Sequence, residues 1–384
     1  MIIEPIMRRT GEICTVWLAT LMAICCSESV LGTDLLVAQV APHSGPQGAL
    51  ASDYRAGARL YFDSVNARGG INGAAVVLKA RDDGDDPAMT RRHATELIAQ
   101  KPIAFIGVVG TANVASVLPL LEESETALLG PLVDAAGVDE TRNRTVFHIR
   151  PNEQQEIEAI VSRLDSLGLR RIAVCHHDRP ATAVIAQWTR SQRTRQALQV
   201  LNCAGDAAQV DGAVNSVIEA AAQAVVFVGR AQSAAVFIKT LRARGSFAMV
   251  VVPSSIDTKE LMAILPTSAK RWLAVAEVFP NVDSDDGRSP GDLVVREFSK
   301  LRAGSRVPVP ASNASLAGFV SAKILVEALR RSGEKPTAAD VLRSLHALQQ
   351  YDVGGMIFDF SRHDPASVTY TRLGVIGTRG AVLN

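Results

Sequence analysis

From residue 34 onward, short apolar runs alternate with amphipathic stretches of helical length, and this alternation constrains the fold more than any other feature of the chain. Residues 34–41 form an apolar run, the mark of a strand covered on both faces. Further strands are expected at 76–78, 103–108 and 127–130, with helices at 87–100 and 110–124 between them. The pattern then restarts, with strands at 171–175, 198–201, 224–228 and 247–252 among helices at 153–167, 181–197, 210–222 and 233–244. Such alternation calls for parallel sheets with right-handed crossovers. The last third adds a strand at 272–279, a polar loop at 281–290, helices at 292–303, 315–331 and 337–348, and strands at 356–359 and 372–377. The fold class is α/β, with two units of similar size.

The clearest local signature lies between Tyr54 and Pro87. Tyr54, Ala58, Tyr61, Phe62 and Val65 recur at helical spacing, so one face of a helix is buried. Arg68-Gly69-Gly70 closes that helix, Asn72-Gly73 turns the chain, and Asp86-Pro87 reads as an N-cap and first-turn proline. The segment from Gly57-Ala58 through Asn66-Ala67 and Gly69-Gly70-Ile71-Asn72-Gly73 to Asp82-Asp83 resembles the amino-terminal signature of periplasmic solute-binding proteins of the leucine/isoleucine/valine-binding type, the receptors that feed ABC importers.

That resemblance implies a type I periplasmic binding fold, two doubly wound parallel-sheet lobes joined by three crossover strands with the ligand cleft between them. The crossings correspond to Arg150, Val275 and Tyr351, giving an amino-terminal lobe of 33–149 plus 276–350 and a carboxyl-terminal lobe of 150–275 plus 351–384. It also implies a small-molecule ligand, an ABC permease as partner, a monomer, no cofactor and no catalysis. The same fold serves ligand-sensing subunits of signalling systems, which is the alternative reading.

Residues 1–32 have the layout of a secretory signal peptide: Met7-Arg8-Arg9, an apolar core at 13–26, and a cleavage site after Gly32, with Ser29 as the second option. A periplasmic location follows. Cys14, Cys25 and Cys26 fall in this segment, leaving Cys175 and Cys203 as either one disulfide or two buried thiols. A net charge of +1, with no basic stripe, argues against nucleic acid. The chain has no G-x-G, Gly-Lys, G-x-S-x-G or H-E-x-x-H motif, so nothing supports an enzyme. The acids Asp82, Asp83, Asp85 and Asp86 read as a turn and helix cap rather than a metal site, and Cys175-His176-His177-Asp178 as a loop rim. The sequons at Asn143 and Asn313 read as coincidence.

Open α/β sheets bind ligands at the carboxyl ends of their strands. That rule, together with the positions matched in the resembling family, gives as candidate ligand residues Val109, Gly110 and Thr111, then Leu132, Val133 and Asp134, with Leu50, Ala181, Arg230 and Ser254. Thr111 opens a helix whose free N–H groups favour a carboxylate, and in the resembling family a hydroxyl residue here holds one. The alternative for Thr111 is a simple helix cap. Other matched positions depart from the amino-acid-binding pattern. Leu50 and Ala181 replace aromatics, Leu132 and Asp134 replace a small residue and a threonine, and Arg230 replaces an aromatic. The acid expected to pair with a ligand ammonium corresponds to Ser254. Asp134 could take the ammonium and Arg230 a carboxylate, unless Arg230 is only a solvated helix start.

Overall fold

The computed structural model describes residues 34–133, 144–151, 153–176, 197–203, 207–256, 258–280, 282, 292–361, 372–376 and 382–383. The expected signal peptide at 1–32, the helix at 181–197 up to its last residue, and nearly all of the loop at 281–290 lie outside them.

The first lobe is built on β1 (Leu35–Ala41), β2 (Val76–Asp82), β3 (Ala104–Ile106), β4 (Ala127–Leu129) and β5 (Val146–Phe147), a parallel sheet in the order β2-β1-β3-β4-β5. Side chains alternate across it as a strand's period of two requires. Leu35, Val37, Ala104, Ile106, Ala127 and Leu129 enter one core, whereas Ala38, Val40, Phe105 and Leu128 enter the core on the opposite face. Both faces are thus dry, as the apolar run at 34–41 requires. Against one face lies α1 (Gly48–Asn66); against the other lie α2 (Pro87–Ile98) and α3 (Thr111–Glu123).

The second lobe begins with α4 (Glu153–Ser166). It continues with β6 (Arg171–His176), β7 (Ala197–Asn202), α5 (Ala207–Glu219), β8 (Ala224–Val228), α6 (Ala231–Ala243), β9 (Met249–Val252), α7 (Thr258–Ile264) and β10 (Leu273–Glu277). The chain then returns to the first lobe as α8 (Asp292–Ala303), α9 (Asn313–Arg331), α10 (Ala338–His346) and a hairpin of β11 (Tyr351–Asp352) and β12 (Ile357–Phe358). It ends in the second sheet with β13 (Arg372–Ile376) and β14 (Val382–Leu383), in the order β14-β13-β10-β9-β8-β6-β7. These last two strands run antiparallel to their neighbours, closing an otherwise parallel sheet.

One expected boundary moves. The third crossing, expected at Tyr351, comes later, because Val353, Met356, Phe358 and Phe360 are all buried in the first lobe's core. The Phe360 ring meets Phe147 edge-on at 5.3 Å, which anchors the hairpin to β5. Residues 351–361 therefore pack with the first lobe. Ile149 packs in the first lobe's core and Ile157 in the second's, while Val275 belongs to the second and Phe279 to the first.

The sequence leaves one bond open, and the structure closes it. Cys175 and Cys203 form a disulfide with their Cα atoms 5.6 Å apart, joining the end of β6 to the edge strand β7.

Candidate functional site

The carboxyl ends of β3 and β4 are stitched together. Gly110 N donates to Leu132 O at 2.9 Å, and Leu132 N donates to Val108 O at 2.8 Å. Val109 and Leu132 form a parallel bridge, so Val109, Gly110, Thr111, Leu132 and Val133 converge on one edge of the first lobe. Ala51 packs beneath them with Ala41 and Val109, which sets the neighbouring Leu50, an exposed residue of α1, beside this edge. Asp134 and Ala181 lie outside the described residues.

Gly110, not Thr111, caps α3. Its φ of 93° lies in the left-handed region that an L side chain adopts only under strain, and no side chain caps the first turn. Thr111 is thus the first helical residue, and the simple-cap alternative for it does not hold. The nearby acids have partners of their own. Asp82 Oδ1 accepts from His43 N (2.9 Å), Ser44 N (3.3 Å) and Gly84 N (3.1 Å). Asp83 accepts from Thr90 Oγ1 and Asp85 N, and burial pushes its carboxyl upward. Asp86 caps α2 through Ala88 N. Asp85 accepts from Asn113 Nδ2 at 3.0 Å, and a Cβ on Gly110 would lie 3.4 Å from its Oδ1. The turn-and-cap reading of these acids holds, and no metal-holding cluster exists among the described residues. Asp85 also sets a carboxylate against the α3 N-terminus, in competition with any ligand anion there.

In the second lobe, Arg230 stands at the carboxyl end of β8 as the N-cap of α6, with an exposed side chain and its backbone N donating to Ser233 Oγ at 3.3 Å. Ser254 follows β9. Its backbone N and its Oγ donate to the two carboxylate oxygens of Glu156, at 2.6 and 2.9 Å.

Glu156 is a residue that sequence reasoning misses, although a signal for it is present. It precedes Ile160 by one helical turn on the stripe that buries Ile160 and Leu164, where an acid is out of place unless it is paired. Arg150 reads in the sequence only as a boundary, at the first crossing. In the structure its guanidinium stands 5.6 Å over the Phe279 ring at the second crossing. It retains an exposed surface, yet desolvation holds its pKa below the usual range, opposed by the Glu156 charge. At the end of β10, Glu277 has a buried Oε2 without a hydrogen bond among the described residues. Desolvation raises its pKa, with the Arg372 charge opposing.

Two residues before Arg150, burial pushes the His148 imidazole down to about 4 from 6.5. The folded-state value lies below the unfolded one, so the unfolded chain binds the proton more readily across that window. Stability is therefore intact above pH 6.5 and falls as the pH drops towards 4. Allowing for a partly exposed ring, the expected loss between pH 7 and 4.5 is about 2 kcal/mol, read by urea unfolding, and His148→Gln should remove that part of the slope. A hollow of about 460 Å³ lined by Lys101, Ile103, Thr126 and Thr337 opens at the amino ends of β3 and β4, away from the candidate site.

Comparison with known proteins agrees with this architecture. Residues 35–376 match the family model described as periplasmic binding protein. A Leu/Ile/Val-binding protein homologue of Brucella melitensis is 21% identical over 82% of this chain and 83% of its own length. Among solved structures, a substrate-binding periplasmic protein of Ralstonia solanacearum is 35% identical, covering 91% of this chain and 99% of the other, with a TM-score of 0.64. An extracellular ligand-binding receptor of Verminephrobacter eiseniae is 25% identical, covering 91% and 100%, with a TM-score of 0.67.

Proposed function

Because the chain belongs to the periplasmic binding protein family, whose members bind substrates rather than turn them over, we propose that it captures a small polar metabolite by lobe closure and delivers it to the permease of an ABC importer. The metabolite is an amino acid, an amide or a related carboxylate. Residues 1–32 direct export and are cleaved, and the mature chain acts as a monomer in the periplasm.

The observation that carries this reading is the stitched edge of Val109, Gly110, Thr111, Leu132 and Val133 at the strand ends of one lobe, with Arg230 and Ser254 at strand ends of the other. Strand carboxyl ends are where open α/β sheets take ligands, and the crossings at strand ends act as hinges. Tests should use the chain from Thr33 onward in a thermal-shift screen of L-amino acids, amides, aromatic and aliphatic carboxylates and small peptides. A ligand at about 100 times its dissociation constant stabilises by about 2.7 kcal/mol, a shift of several degrees. A shift confined to one chemical class supports the reading, and no shift with any compound overturns it for these classes.

A further inference from the structure

Arg150 stands at the first crossing with its guanidinium 5.6 Å over the Phe279 ring of the second. Its surface is open to solvent, yet the surrounding protein desolvates its charge. Protein approaches it from both lobes. Behind it, Ile149 lies in the first lobe's core, where a Cβ on Gly130 at the end of β4 would meet Ile149 Cδ1 at 3.3 Å. Below it is the Phe279 ring, and from the second lobe comes the charge of Glu156. Among the described residues the guanidinium has no hydrogen-bond partner. With the ring 5.6 Å away, its N–H donors are open to a planar acceptor.

The α3 N-terminus already faces Asp85. We propose that Arg150, beside the Phe279 ring between the two crossings, grips a carboxylate of the ligand. Ligand binding at this point bridges both lobes at the hinge. The planar fork of arginine fits a carboxylate bidentately, which lysine cannot reproduce. The proposal rests on the receptor reading above.

The test is calorimetric binding to the mature chain with 4-methyl-2-oxopentanoate, benzoate and succinate as amine-free acids, and with L-leucine and L-leucinamide. At least one of the carboxylates is expected to bind, with leucinamide inert. Arg150→Met is expected to weaken the acid about 10- to 100-fold, the loss of a charge-assisted pair. Should Arg150→Met fail to fold, Arg150→Lys decides: the proposal requires a clear loss of acid binding with the charge retained. Acid binding unchanged in the variant that folds, or leucinamide binding as well as the acids, overturns the role of Arg150 and leaves the receptor reading standing. No binding by any of these probes to the wild-type chain overturns the proposal. Only a blank across the whole screen above would bring down the receptor reading too.

Discussion

Gly318→Ala is expected to lower the melting temperature of the ligand-free protein by about 6 to 12 °C, corresponding to about 3 kcal/mol. The two 19-residue helices α1 and α9 touch through their backbones. A Cβ on Gly318 would sit 1.9 Å from Tyr54 O, and one on Gly57 would sit 1.7 Å from Ser315 O. No rotamer change relieves a clash with a carbonyl, so the helices must move apart. That would disturb the Tyr54 hydroxyl, which donates to Ser321 Oγ at 2.6 Å, and the edge-on contact of Tyr61 with Phe319 at 5.0 Å. Gly212 is the control. It lies within α5, where an added Cβ would meet no atom within 4 Å. Gly212→Ala should therefore raise stability by about 0.5 to 1 kcal/mol through helix propensity alone. Calorimetry on both variants separates the two outcomes. Equal melting temperatures would mean that α1 and α9 are not in backbone contact.

The same glycines show how far the sequence is legible. Gly57 stands inside the signature that suggests the family, yet the reason for it, Ser315, lies more than 250 residues away in the chain. Local signals read well: the apolar run at 34–41 is β1, and Asp86-Pro87 is the cap of α2. Short elements such as β5 and β11, two residues each, carry too little periodicity to be seen. The strand expected at 103–108 ends at Ile106 because Gly107, at φ 57°, turns the chain there. At the candidate site, the residues of the β3 and β4 loops are legible because each follows an apolar strand directly. Arg150 and Glu156 are not, since their meaning depends on contacts with Phe279 and Ser254, far away in the chain. Ser254 reads in the sequence as a missing acid, whereas its partner Glu156 is an acid brought to it from another helix.

Breaking the Cys175–Cys203 disulfide is the other change with a large expected effect. The cysteines are 28 residues apart, and closing a loop of that length restricts the unfolded chain by about 3 to 4 kcal/mol. Both cysteines are buried with Val225 and Phe227 in the second lobe's core, and Cys203 N donates to His176 O at 3.0 Å. The bond therefore fastens β7, which among the described residues has a neighbour on one side only, to β6 in the sheet interior. The double variant Cys175→Ser, Cys203→Ser is expected to lower the melting of the second lobe by about 6 °C or more while leaving the first lobe's transition in place. A single calorimetric peak should then broaden or split. Reduction of the wild-type chain should reproduce the shift without the added cost of two buried hydroxyls, so the difference between the two experiments isolates the cross-link. If neither treatment moves the transition, the sheet alone holds β7. The loop it closes contains Ala181, one of the ligand residues expected from the sequence. Ligand binding that weakens on reduction, with the first lobe intact, would tie that loop to the cleft.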